Sequence, residues 1–159
     1  MFRTLKKIQS LLKSTFGNVF KKYWIDDPNL IPQSELPAIY IAPISTDIDI
    51  ADTGRDKMTY TIEIGVVINA KQELKKFNEE MVGTQYLTEK MEGKDSNGAL
   101  EKNTILYVLR NNLTLDDNWY VENISSIDYS LRTRGTVPDQ FTVKDAILRL
   151  TVVQILNRP

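Results

Sequence analysis

Apolar residues recur along this chain at two different periods, and the switches between them divide it into elements. Leu5, Ile8, Leu11, Leu12, Phe16, Val19, Phe20 and Tyr23 step by three and four. That spacing predicts one apolar face of a helix of about five turns, spanning residues 1–25. Gly17-Asn18 weakens the helix, and Asp26-Asp27-Pro28 ends it, because proline disfavours helix at the residue before it. Residues 28–37 contain Pro28, Pro32 and Pro37 and read as an extended connector. Ala38 to Ala42 is a short strand bounded by Pro37 and Pro43, and the polar, acidic stretch from Ser45 to Asp56 reads as a long loop or a partly paired excursion.

From Lys57 to Asn69 the period is two. Met58, Tyr60, Ile62, Ile64, Val66 and Ile68 fall on one side, with Lys57, Thr59, Thr61, Glu63 and Asn69 on the other. This is a long antiparallel strand with one buried face. Helical spacing returns between Gln72 and about Met91, and again over residues 99–113, with a turn-like cluster from Gly93 to Gly98 between them. A strand from Trp119 to Leu131 follows, with Asn123 and Ser125 as weak points on its apolar side. In the last strand, Phe141 to Leu156, the apolar set moves from odd positions (Phe141, Val143) to even ones (Ala146, Leu148, Leu150, Val152). That phase change predicts a β-bulge near Lys144–Asp145. The order implies a single α+β domain over residues 1–159. Its body (38–156) is an antiparallel or mixed sheet of about four main strands with helices packed on one face.

Composition narrows the chemistry. The 159 residues include no histidine and no cysteine. Disulfides, thiol nucleophiles, Cys-bound zinc, imidazole bases and Ser-His-Asp triads are therefore excluded, and no cofactor is expected. No secretory or membrane-spanning segment is legible, so a cytoplasmic origin is expected and the Asn112-Leu-Thr and Asn123-Ile-Ser tripeptides read as chance glycosylation matches. Net charge is −1, but it is unevenly spread. Residues 1–25 hold Arg3, Lys6, Lys7, Lys13, Lys21 and Lys22 and no acid, while the remainder carries 14 bases against 21 acids. A basic arm on an acidic body suits self-association, a nucleic-acid contact or a membrane surface. Lys6, Lys13, Lys21 and Lys22 are the arm's candidate contact residues.

Other motifs are weak. Asp52-Thr53-Gly54 resembles the aspartic-peptidase tripeptide, but Asp47-Ile-Asp49-Ile-Ala51 is too polar an approach, and a turn is expected instead. Asp47, Asp49, Asp52 and Asp56 fail the EF-hand spacing, with Ala51, Asp52 and Met58 at the fifth, sixth and twelfth positions. No metal site is expected from them; Asp47, Asp49 and Asp52 together with Arg55 are candidate interface residues of a protruding loop. Arg132 and Arg134, in the hairpin loop 132–139, lie two residues apart and point the same way, as a contact for a partner subunit or a phosphate.

The whole layout carries a resemblance that no single motif does. An N-terminal helix precedes Leu36-Pro37-Ala38-Ile39-Tyr40-Ile41-Ala42-Pro43. An acidic loop and the strand Tyr60-Thr-Ile-Glu-Ile-Gly-Val-Val-Ile68 follow, then a helical block and two strands, the last containing Leu148-Arg-Leu-Thr-Val-Val-Gln-Ile155. This order resembles the tail terminator (tail completion) proteins of tailed bacteriophages. The resemblance implies a small α+β protein of the virion, assembled in the host cytoplasm at the tail–neck junction. It implies a ring, usually a hexamer, that caps the tail tube and meets neck or connector proteins. DNA would only pass through its lumen, and it would have no enzymatic turnover and no membrane partner. Two alternatives stay open: another head–tail connector or head-completion protein, and a nucleic-acid adapter acting through the basic helix.

Overall fold

The computed structural model describes residues 1–26, 28–71, 83–116, 119–135 and 138–157. Among these residues three helices, α1 (Phe2–Phe16), α2 (Thr84–Glu92) and α3 (Ile105–Arg110), accompany six strands. The strands are β1 (Lys22–Ile25), β2 (Ala38–Asp52), β3 (Arg55–Asn69), β4 (Thr114–Asp116), β5 (Trp119–Arg134) and β6 (Phe141–Asn157). They form one mixed sheet in the order β1-β2-β3-β6-β5-β4. Only β1 and β2 run parallel; the other neighbours are antiparallel. The α+β class and the long strands β3, β5 and β6 follow the alternation in the sequence, whereas β2 runs 15 residues where only a short strand over Ala38–Ala42 is expected. The two short edge strands, β1 and β4, have too few residues to show a period.

One face of the sheet holds the main core. Ile39 and Ile41 of β2, Tyr60 to Ile68 of β3 on even positions, and Ala146 to Val152 of β6 on even positions are buried there. Against them pack Leu5, Ile8, Leu12 and Phe16 of α1, Leu87 and Met91 of α2, and Ile105 and Leu109 of α3. Each such side chain contributes about 1.5–3 kcal/mol by leaving water. Polar ties seat the helices as well. Lys7 Nζ donates to the Leu115 carbonyl at 3.1 Å, Tyr129 donates to Glu92 Oε1 at 2.7 Å, and Lys144 donates to Thr84 Oγ1. Helix α3 starts at Thr104, whose hydroxyl accepts from the Tyr107 amide.

The first helix is shorter than its periodicity predicts. It stops at Phe16, where Gly17 takes a φ of 50°, a region open to glycine at little cost. Phe20 still joins the core, but Lys22–Ile25 turns into β1, pairing in parallel with Ala38–Ile41. Tyr23 therefore reaches the core from a strand, and the helix ends before Asp26. Of the expected helix from Gln72 to Met91, residues 72–82 lie outside the described residues, and Thr84–Glu92 is helical. The helix expected over 99–113 is confined to Ile105–Arg110.

The bulge expected near Lys144–Asp145 is absent. The β3–β6 register runs unbroken from Arg55↔Asn157 to Asn69↔Val143. The apolar phase changes because the second face of the sheet is also covered at this end. Ile31 and Leu36 of the proline-rich connector pack with Ala38, Tyr40, Val67, Val143 and Ile147 in a separate small core. Both odd and even positions of β6 are thus buried there. The bulges lie in β5 instead, between Val121 and Asn123 and between Ile124 and Ser126. They explain the weak points at Asn123 and Ser125: each extra residue resets the phase, so that Val121, Ile124 and Ile127 all serve the helix side.

Candidate functional site

The acidic stretch from Ser45 to Asp56, expected as a long loop or a partly paired excursion, is paired: it is the outer half of a β-hairpin. Strand β2 runs through Pro43 to Asp52, turns at Thr53-Gly54 and returns as β3. Beyond Ala42 its side chains are almost all exposed, so the hairpin is an arm standing past the helices. The register places Ile48 opposite Met58 and Ile50 opposite Asp56, on the face that carries the main core further along. Asp47 and Asp49 lie opposite Thr59 and Lys57, on the second face. Ile48 is 66% exposed and Ile50 73%.

The tip is an Asx turn closed by an ion pair. The Gly54 amide donates to Asp52 Oδ1 at 2.9 Å, and Arg55 Nη2 lies 2.6 Å from Asp52 Oδ2. These hydrogen bonds, from Arg55 first and from Gly54 next, hold the Asp52 carboxyl below the usual carboxylate range. An aspartate so committed to ionisation is poorly suited to share a proton with a twin, as a peptidase pair must. Asp47, Asp49, Asp52 and Asp56 do not converge: the strand alternation sends Asp56 to the opposite face from Asp47 and Asp49. Among the described residues no group of three acidic side chains is placed to hold a metal ion.

Arg132 and Arg134 are on β5 rather than in a loop, and they do point the same way. Their shared target is internal. Asp145 of β6, fully buried, lies 3.4 Å from Arg132 Nε and 3.5 Å from Arg134 Nη2, and Ser130 donates to its Oδ1. The Arg134 side chain is only 4% exposed, so it is a structural counter-ion and not a surface contact. Arg132 keeps half its side chain in solvent. Beside them on the second face, Arg149 reaches Glu63 at 2.9 Å and Asp128 at 3.4 Å. The Tyr40 ring packs against Gly65, where a Cβ would clash with its Cε1. Burial, then the Glu63 and Asp145 carboxylates, push its phenol well above the ordinary tyrosine range. Sequence reasoning missed Asp145, Glu63, Arg149 and Tyr40. The one signal for them was the phase change at Asp145, an acid in an apolar run.

The basic arm of the sequence divides. Lys21 donates to the Ser34 carbonyl at 3.2 Å, and Lys22 lies 3.5 Å from Glu35, which also accepts from the Trp24 indole. Lys6 lies over the Phe2 ring at 5.5 Å, and Lys13 is exposed in the last turn of α1. Lys6 and Lys22 line an open groove of about 660 Å³ with Phe2, Tyr23 and Trp24; Lys13 and Lys21 flank another groove of about 320 Å³. Two of the lysines thus fasten the connector to the sheet. None of the four meets the arginines of β5.

No protein-family model and no curated protein matches this chain. Among the described residues no helix is long and apolar enough to cross a membrane.

The arrangement is a rigid frame whose enclosed polar groups neutralise one another. What it offers outward is the hairpin arm, with Asp47 and Asp49 on one face and Ile48 and Ile50 on the other, and the half-exposed Arg132 near the opposite edge of the sheet.

Proposed function

We propose that this chain is a structural virion protein, a tail terminator whose ring caps the tail tube and joins it to the neck, without catalytic turnover. The observation that carries the reading is the arm. Ile48 and Ile50 stand in solvent on a strand pair whose other end is anchored in the main core. Exposed apolar side chains on a rigid support are material for a protein–protein contact, because covering them costs little conformational entropy. The order of elements in the sequence supports the phage setting, and the acidic body suits a passage for DNA, which it would repel from the walls.

The test is electron microscopy of gold-labelled protein mixed with purified phage tail tubes and with tailless heads. The expected result is label at one end of each tube. Label along the whole tube, or none, refutes the reading. Label confined to the head vertex reassigns the chain to a head-completion or connector role.

A further inference from the structure

We propose that copies of this chain join by strand addition, the outer edge of β2 over Ser45–Ile50 pairing with the outer edge of β5 over Ser126–Arg134 of the next copy. The inference deepens the ring reading and rests on it for closure; the pairing itself is read from the sheet.

Among the described residues, β1 covers β2 only at Ala38–Ile41, and β4 covers β5 only at Trp119 and Tyr120. Among the described residues both long strands then run on without an outer neighbour, leaving rows of backbone donors and acceptors open to another chain. Irregularities in β2 fall between Pro43 and Ser45 and between Ile50 and Asp52. Those in β5 end at Ser126. Each open edge therefore contains one regular run, and these are the two runs named.

Their side-chain alternations match. On the helix-covered face, β2 presents Ile48 and Ile50, and β5 presents Leu131, itself 63% exposed. On the second face, β2 presents Asp47 and Asp49, and β5 presents Arg132 with half its side chain in solvent. Joined antiparallel with Asp49 opposite Arg132, the two edges set Ile50 opposite Leu131, so that apolar lies beside apolar on one face and carboxylate beside guanidinium on the other, the favourable cross-strand combinations, while Asp128 on the second face stays clear of both aspartates. Pairing β2 with another β2 would instead set Asp47 and Asp49 against their own copies. The complementarity lies between two different edges of one chain, which selects a second copy as the occupant and makes the contact head-to-tail.

The experiment is sedimentation velocity and native mass spectrometry of the wild type, of Ile48→Lys/Ile50→Lys and of Leu131→Lys. All three positions are exposed, so unchanged thermal melts by circular dichroism will show that the variants fold. The wild type is expected to assemble and each variant alone to lose assembly. Their equimolar mixture is expected to form a one-to-one dimer, since each variant retains the edge that the other lacks. A monomeric wild type, variants that assemble like the wild type, or a mixture without that dimer overturns the pairing. Should a variant misfold, hydrogen exchange of the wild type decides: amides in 45–50 and 126–134 must slow by about tenfold or more on assembly. Unchanged exchange there overturns it equally. An oligomer indifferent to the edge variants removes the strand pairing and leaves a ring possible. An edge-paired oligomer that never labels a tail tube removes the tail role and leaves the pairing.

Discussion

Replacing Asp145 with Asn tests whether the carboxylate at the centre of the second face holds its arginines in place. Asp145 has no exposed surface, and Arg134 beside it is 4% exposed in its side chain. Asn preserves size but removes the charge, leaving Arg134 as a buried cation 3.5 Å from a neutral amide. Arg132 loses less, because half of it already reaches water. Breaking a buried pair from one side costs about 3–5 kcal/mol, since the remaining charge keeps its desolvation penalty and loses its charged partner. In a chain of this length that lowers Tm by about 6–20 °C. The assay is urea unfolding followed by the fluorescence of Trp24 and Trp119, together with a thermal melt. A control separates lost charge from lost packing. Asp145→Leu combined with Arg134→Met removes both buried ions and is expected to be more stable than Asp145→Leu alone, because the one cation left from the cluster, Arg132, has half its side chain in water. A loss below about 1 kcal/mol in Asp145→Asn, or a double variant as unstable as the sum of its singles, would refute the argument.

Two further predictions use the same methods. Gly65→Ala drives a methyl into the Tyr40 ring and is expected to cost about 1–3 kcal/mol, with Tyr40→Leu recovering part of the loss in the double variant, as urea midpoints will show. Burial raises the phenol of Tyr23 to about 12, and it also raises those of Tyr40, Tyr60 and Tyr129 above 10.0. Because the folded state holds these protons more tightly than the unfolded one, their contribution is complete below pH 10 and fades as the pH climbs through that point toward 12. Tyrosinate absorbance should therefore show at least four late-titrating phenols, and urea midpoints should fall over the same interval.

How much of this was legible beforehand depended on how local each signal is. The β3 strand was plain, because one buried and one half-open face impose alternation residue by residue. The turn at Asp52-Thr53-Gly54 was plain too, since its hydrogen bonds close within four residues. The arm around it was not. A strand with both faces in solvent carries no burial period, so Ser45–Asp56 read as a long loop or, at most, a partly paired excursion. Arg134 looked like a surface contact because its partner is 11 residues away on another strand.

The sequence by itself determined the class, three of the four long strands, the direction of the N-terminal amphipathic helix face and the absence of imidazole and thiol chemistry. These follow from composition and from contacts that repeat every two or 3.6 residues along one segment. Only the tertiary structure decided that residues 22–25 leave the helix for a strand and that the proline-rich connector covers the second face. It also decided that β2 and β5 outrun their neighbours. Each of those outcomes depends on which segment lies beside which, and pairing across a sheet is set by burial and register between distant parts of the chain, not by any period within one of them.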